Sequence, residues 1–354
     1  MTDRPGGFVG ERRDFELGLA AALSTASGTI DSREGSLVMV TGTADGADRT
    51  VGVGEATPLP GWTESLAECR STIDRALSKL ETSGPDAALA ATEGMPAARH
   101  GLSLALLDRD ARLAGEPLYR HLGSDAASSV TSVPVNATAG DGRIDDAVRA
   151  ALEARQAGFE TLKLKVGVRE TAIDAGRLEA IRTEVSEDLV LRVDANGAWS
   201  RSEARLAIGA FPDLEYVEQP LPSDDLRGHA DLRERADVAL DEALRDHSVD
   251  DIVDADAADV IVIKPMVLGG IDRALGVAER AWDAGIDPVV TTTIDGVVAR
   301  AGAVHLAAGL GVDRACGLAT ADKLDRDLAP DPTTVRDGRI TVPQAPGTGV
   351  TVEW

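Results

Sequence analysis

The feature that most constrains this chain is a rhythm. From Ser132 onward, short apolar runs recur at steps of roughly 25 residues, each followed by a stretch of helical periodicity. The runs are Val133–Ala137, Thr161–Val166, Leu189–Asp194, Leu214–Glu218, Val238–Asp241, Val260–Lys264, Pro288–Thr293 and Ala315–Ala319. Segments such as Ile144–Ala157 and Ala172–Glu184 carry the helical pattern between them. Repeated strand–helix units predict a parallel sheet, and eight of them predict a closed α/β barrel rather than an open sheet. No Gly-x-Gly-x-x-Gly follows an early strand and there is no Walker loop, so nucleotide binding has no support.

Upstream of the rhythm the pattern differs. Phe15, Leu17 and Leu19 alternate with other residues, and Gly35–Val40 and Thr50–Glu55 read as further strands with Asp45-Gly46 as the turn between them. Ser65–Glu81 and Pro96–Ala114 read as amphipathic helices. Strands followed by helices predict an α+β domain. Residues 1–125 are assigned to it and 126–330 to the barrel. The tail 331–354, with a short strand at Arg339–Val342, is expected to return and complete the first domain. The segments Ser24–Gly35 and Pro58–Thr63 are placed as loops over the barrel mouth, although their glycines and serines suit plain surface turns as well.

Composition narrows the function. A net charge of −24 repels phosphates and anionic lipids, which disfavours nucleic acid and membrane partners. No run approaches the roughly 20 apolar residues of a membrane span, and Met1–Gly10 lacks an export pattern, so a cytoplasmic location is expected. Cys69 and Cys316 have no metal-binding spacing and read as free, buried thiols. The acidity is spread along the chain, as in proteins adapted to high salt, where screening relieves self-repulsion. The melting temperature is therefore expected to rise between low and molar KCl; a flat or falling curve refutes halophilic adaptation.

Lysine is scarce: of 36 basic residues only Lys79, Lys163, Lys165, Lys264 and Lys323 are lysine. Arginine keeps its proton, whereas a lysine in a desolvated site can release it. Three of the five fall at strand ends. In Thr161-Leu162-Lys163-Leu164-Lys165 the spacing of two puts both ammonium groups on one face and both leucines on the other. A solvated edge strand would also show this pattern, but a closed barrel has no edge. Asp194, Glu218 and Asp241 end the next three strands in order. Each could cap a following helix. Three in succession, opposite inward lysines, instead predict an oxygen-rich site for a hard cation such as Mg²⁺. Lys264 ends a strand across the barrel. The parts suit removal of a proton beside a carboxylate, with Lys165 as base, Lys163 charged beside the carboxylate, and a cation stabilising the enediolate.

The set Lys163-x-Lys165, Arg192-Val-Asp194-Ala-Asn196-Gly-Ala-Trp199, Val217-Glu218-Gln219-Pro220-Leu221, Leu240-Asp241-Glu242 and Ile263-Lys264-Pro265 resembles the muconate-lactonizing subgroup of the enolase superfamily over nearly the whole chain. The resemblance implies a modified TIM barrel, (β/α)7β, with an N-terminal α+β capping domain. It implies one Mg²⁺, with Mn²⁺ as an alternative, held by Asp194, Glu218 and Asp241. It makes Lys165 the base and sets Lys264 on the other side of the substrate. Within the subgroup, Gly54–Gly61, Val133–Thr138 and Gly317-Leu318-Ala319-Thr320 are similar to the o-succinylbenzoate synthase family of menaquinone biosynthesis. That likeness implies a syn-dehydration in which Lys165 takes the α-proton and returns it to the departing hydroxyl. It also places Arg192 and Asn196 near the site, with Thr293 and Gly317 lining the pocket. The expected partner is a small carboxylate substrate, and a homo-oligomer remains open.

Three other readings compete. Two opposed lysines also suit racemisation of N-succinylamino acids. Dipeptide epimerases of the superfamily carry Asp-x-Asp after the last strand, where this chain has Cys316–Asp322 without it. A barrel kept only for binding should have lost a lysine or a carboxylate, and all six are present. Histidine at a strand end, needed for a His–Asp pair, is replaced by Thr293; His305 reads as helix core and Trp199 as loop packing.

Overall fold

Alternating side chains and turn residues build the first sheet. The computed structural model describes residues 7–25, 28–42, 50–123, 129–186, 188–211 and 213–354. β1 (Phe8–Thr25), β2 (Gly28–Gly42) and β3 (Val51–Ala56) form an antiparallel sheet with β2 central. Ser24–Gly35, expected as a loop, is therefore mostly strand: β1 runs to Thr25 and β2 starts at Gly28. The Asp45-Gly46 turn lies outside the described residues. Helix Leu66–Ser83 starts on a capping box between Ser65 and Glu68. Helix Pro96–Ala114 lies directly on β3, where a Cβ on Gly54 would come within 1.9 Å of the Gly101 carbonyl oxygen. Only glycine admits so close a backbone approach.

The predicted rhythm becomes a parallel sheet. After β4 (Ser132–Pro134) come β5 (Ala137–Ala139), β6 (Thr161–Lys165), β7 (Val190–Asp194), β8 (Tyr216–Glu218), β9 (Val238–Leu240), β10 (Val260–Ile263) and β11 (Asp287–Val290). β5 to β11 follow one another in one seven-stranded parallel sheet. Its two sides meet through a short seam. Cys316 bridges Val135 and Gly317 bridges Thr291, both in parallel. The run Ala315–Ala319 was expected as a full strand, but it pairs only at these two residues. The Thr291 hydroxyl donates to the Gly317 carbonyl at 2.9 Å, and Thr320 N–H turns back to Leu318 O at 2.9 Å, which ends the extension.

Leu162, Leu164, Leu191, Val193, Val217 and Leu240 are fully buried beneath the outer helices, alongside Leu178, Ile181, Ala204 and Ala207. Tyr216, Ala239, Val260, Val262 and Val289 form a separate cluster inside the barrel. The two sets alternate along the strands, as a filled barrel requires. Cys69 and Cys316 are free and buried. His305 is buried in helix Val297–Leu310, and Trp199 packs on Phe211 at 6.0 Å.

The tail divides. β12 (Val335–Arg336) and β13 (Arg339–Thr341) pair antiparallel, and β13 pairs with β4 rather than with the first sheet. Residues beyond β13 reach the cap: Thr348 donates to the buried Asp108 carboxylate at 2.7 Å, and Trp354 to Glu11 at 2.9 Å. From the other side, Glu55 of β3 accepts from Gly296 N–H at 2.7 Å and Ala299 N–H at 2.9 Å, at the start of helix Val297–Leu310. Burial, then repulsion from Asp295, pushes the Glu55 carboxyl up to about 7. Among the described residues no helix is long and apolar enough to cross a membrane.

Candidate active site

Register delivers the charged residues to one end of the barrel. Lys165, Asp194 and Glu218 are cross-strand partners at the ends of β6, β7 and β8, and Lys163, Arg192 and Tyr216 are partners one layer below. Asp241 directly follows β9 and Lys264 directly follows β10. β6 and β10 stand four places apart in the sheet, so Lys165 and Lys264 rise from opposite walls. The carboxylates are not helix caps. Ser200 caps helix Arg201–Ala210, Asp225 caps helix Leu226–Arg233, and helix Ala243–Asp246 has no side-chain cap.

The lysines point inward and bind the acids. Lys163 Nζ donates to Glu218 Oε1 and Oε2 at 2.8 and 2.9 Å and lies 3.1 Å from Asp194 Oδ2. Lys165 Nζ donates to Asp194 Oδ2 and to Asn196 Oδ1, each at 2.7 Å. Lys264 Nζ donates to Asp241 Oδ2 at 2.5 Å and sits 3.7 Å from the centroid of the Trp62 ring. Burial lowers the Lys163 ammonium's hold on its proton, but Glu218 and Asp194 outweigh it and raise its pKa well above the usual lysine range. Burial likewise opposes ionisation of Asp194, and Lys163 and Lys165 overcome it, leaving its carboxyl well below the usual range. Burial and then Asp194 push the Glu218 carboxyl up to about 8, with Lys163 opposing and Asp241 adding repulsion.

The sequence led us to expect three carboxylates gathered around one point. The arrangement is more divided: Asp194 and Glu218 meet through the Lys163 ammonium, and Asp241 pairs with Lys264. Among the described residues no three acidic, histidine or cysteine side chains form a closed metal cage. Buried like charges relieve their repulsion by recruiting the nearest ammonium groups. The donor set nevertheless fits a hard divalent cation. All donors are carboxylate oxygens, Asp241 Oδ1 is buried with no hydrogen-bond partner, and the adjacent Glu242 Oε2 is buried and unpartnered too.

The other expected pocket residues fall in different places. Asn196 is exposed at the mouth, with φ 47°, a conformation asparagine tolerates. Its amide donates to Glu242 Oε1 at 2.9 Å and accepts from Lys165. Arg192 is fully buried below the carboxylates, bonded to Glu215 Oε2 and Ala315 O, each at 2.6 Å, and stacked over Tyr216. Thr293 is buried and bonds Asp295 through its hydroxyl and its N–H. Gly317 lies in the seam, where a Cβ would meet Thr291 Oγ1 at 2.4 Å.

Sequence reading placed Pro58–Thr63 over the mouth without singling out Trp62. That residue lines a narrow cleft with Asp241, Leu244, Lys264 and Val267, and Arg245 donates to the neighbouring Gly61 carbonyl. The available signal was an aromatic at a Pro60-Gly61-Trp62 turn in a chain with only four tryptophans. In the sequence Glu242 stands out only as the neighbour of Asp241, and nothing in its spacing announces the bond to Asn196.

Comparison with known proteins matches this geometry to a family. Residues 146–354 match the family model described as Enolase C-terminal domain-like. The chain is 31% identical to muconate cycloisomerase 1-2 of Acinetobacter lwoffii, over 87% of this chain and 84% of that one. It is 37% identical to o-succinylbenzoate synthase of Thermobifida fusca, over 60% of this chain and 67% of that one. Among solved structures, dipeptide epimerase from Enterococcus faecalis V583 complexed with Mg and the dipeptide L-Leu-L-Tyr superposes with a TM-score of 0.84 at 28% identity, covering 97% of this chain and 99% of that one. The barrel, its cap and these relatives together make the chain a member of the Enolase C-terminal domain-like family, within the enolase superfamily.

Proposed function

We propose that the chain is a Mg²⁺-dependent o-succinylbenzoate synthase, which dehydrates 2-succinyl-6-hydroxy-2,4-cyclohexadiene-1-carboxylate. The observation that carries this reading is an asymmetry between the two opposed lysines. Lys165 is the more open, with 37% of its side chain exposed against 14% for Lys264. Lys264 is held between Asp241 and the face of Trp62, contacts made by an ammonium group. One lysine open to the mouth and one held as a cation suit a reaction with a single base. The 37% identity to an o-succinylbenzoate synthase supports the same choice.

In this reading Asp194, Glu218 and Asp241 hold the cation, which when bound supplies electrostatic stabilisation for the negative charge developing on the substrate carboxylate. Asn196 Oδ1 and Asp194 Oδ2 aim Lys165 Nζ into the mouth. Lys165 takes the proton beside the carboxylate. The C–O bond to the hydroxyl then breaks, the same ammonium returns the proton to the leaving oxygen, and water departs as the ring becomes aromatic. Lys163 stays charged against Glu218, and Lys264 faces the developing enediolate as a cation. Asn196, Thr293 and Gly317 border the substrate. Arg192 supports the carboxylate layer from below, since its burial leaves no surface for a ligand.

The opposed placement of Lys165 and Lys264 also favours a second reading, racemisation of N-succinylamino acids. Dipeptide epimerisation is less supported, because Asp322 is exposed beside Lys323 rather than part of an Asp-x-Asp pair. The deciding assay supplies the hydroxycyclohexadiene substrate with Mg²⁺ and, separately, with EDTA. Formation of the aromatic product only with Mg²⁺ is expected. Loss of optical activity from an N-succinylamino acid with no dehydration overturns the proposal in favour of the racemase.

A further inference from the structure

Behind the carboxylates lies a buried amide whose orientation is over-determined. Gln219 follows Glu218 directly, has φ 40°, and is fully buried, as is His229 on helix Leu226–Arg233. The Gln219 backbone already links neighbouring strand ends: its carbonyl accepts from Gly197 N–H at 2.7 Å, and its N–H donates to Ala239 O at 2.8 Å. Its side-chain Oε1 accepts from the backbone N–H of Asp241 at 3.1 Å and of Ala243 at 3.2 Å. One residue thus ties together the ends that carry Asp194, Glu218 and Asp241.

Fixed backbone groups decide which way the amide points. His229 Nδ1 faces the Asp225 carbonyl at 2.9 Å, which can only accept, so Nδ1 carries the proton. His229 Nε2 faces Leu221 N–H at 3.3 Å, which can only donate, so Nε2 offers its lone pair. The Gln219 nitrogen faces both that lone pair, at 3.4 Å, and the Leu221 carbonyl, at 3.0 Å, and both are acceptors. The amide oxygen is left to the Asp241 and Ala243 N–H groups. Reversing the amide would set a donor against those two donors and an acceptor against two acceptors.

We infer that Gln219 and His229 act as positioning residues for the divalent-cation site, the neutral imidazole fixing the Gln219 amide and the amide fixing the backbone that aims the Asp241 carboxylate. This rests on the proposed cation site. Outer partners of metal ligands generally set affinity by holding the ligand in place. Asp241 Oδ1, buried without a partner, is the atom this tie would hold ready.

The test measures Mg²⁺ affinity of the full chain by titration calorimetry for wild type, Gln219→Met and His229→Phe, together with the ring ¹⁵N shifts of His229 in the wild type. The tie predicts an Nδ1–H tautomer near neutral pH and Mg²⁺ binding weakened about 10–100-fold in Gln219→Met. His229→Phe, which removes one of the two acceptors that hold the amide nitrogen, weakens binding in the same direction by a smaller factor. A lowered melting temperature with unchanged Mg²⁺ affinity in either variant shows a merely structural role and overturns the inference. If neither variant folds, the wild-type shifts decide: an Nε2–H tautomer or a charged ring at neutral pH overturns it, and the Nδ1–H form supports it. Failure of the wild type to bind Mg²⁺ removes the cation site itself. That result is distinct from wild-type binding that the variants match.

Discussion

Lys165→Ala should lower dehydration turnover by about 10³-fold, within the span that a positioned acid–base group contributes. The side chain is partly exposed and its neighbour Lys163 lies 3.1 Å from the same Asp194 oxygen, so the fold and the paired carboxylate should survive the loss. Lys165→Arg should be as inactive as the alanine variant, because a guanidinium reaches the same place but does not release its proton. The informative contrast is Lys264→Ala. If one lysine serves as both base and acid, Lys264→Ala slows turnover yet still exchanges the substrate α-proton with deuterated solvent, and Lys165→Ala does not. If the two lysines act as opposed bases, exchange from each face depends on its own lysine. Retention of full turnover by Lys165→Ala would remove the assignment of Lys165 as the base.

How much of this site could be read in advance depended on what each residue answers to. Lys163, Lys165, Asp194, Glu218 and Lys264 were legible because barrel geometry is periodic. A residue two positions from another shares its face, and the C-terminal end of each strand opens on the same mouth. The scarcity of lysine sharpened the signal. The pairing of each ammonium with a particular carboxylate was not legible, since it depends on side-chain reach between strands distant in sequence. The hairpin of β1 and β2 was missed for a local reason. Ser27-Gly28-Thr29 and Ser32-Arg33-Glu34-Gly35 carry turn-forming residues, yet residues 28–30 and 32–35 pair with β1, and that long antiparallel ladder overrides the preference. The seam at Cys316 and Gly317 was read as a full strand because an apolar run does not reveal how few of its residues find a partner. Arg192 looked like a ligand-binding cation within a string of motif residues; its partners Glu215 and Ala315 are remote in sequence, and only packing shows that it is sealed below the site.

Helix Thr171–Glu184 hides the clearest case of a charge pair that looks solvent-facing and is not, and it carries the largest expected effect on stability. Asp174 and Arg177 are spaced like a surface i,i+3 pair, but their side chains are 1% and 0% exposed. Arg177 donates to Asp174 Oδ1 at 2.9 Å and to the Lys165 carbonyl at 2.9 Å, and it also reaches the Gly140 carbonyl. Asp174 Oδ2 accepts from Gly167 N–H at 3.0 Å. The pair therefore pins the ends of β5 and β6 and the loop after Lys165 with one buried charge of each sign. Asp174→Ala strands the guanidinium without its counter-charge, and should cost about 3–5 kcal/mol, as removal of one partner from a buried ion pair does. Arg177→Met should cost a similar amount by stranding the carboxylate. Because each single change leaves a buried charge and the double change leaves none, Asp174→Ala with Arg177→Met should lose clearly less than the sum of the two. The exposed pair Arg149–Asp146, 64% and 44% accessible, is the control, and Arg149→Ala should leave the denaturation midpoint nearly unmoved. Denaturant unfolding of the four variants reads all of this. A loss of under about 1 kcal/mol in Asp174→Ala, or strict additivity in the double variant, would mean that water reaches the pair and that the end of β6 is held by something else.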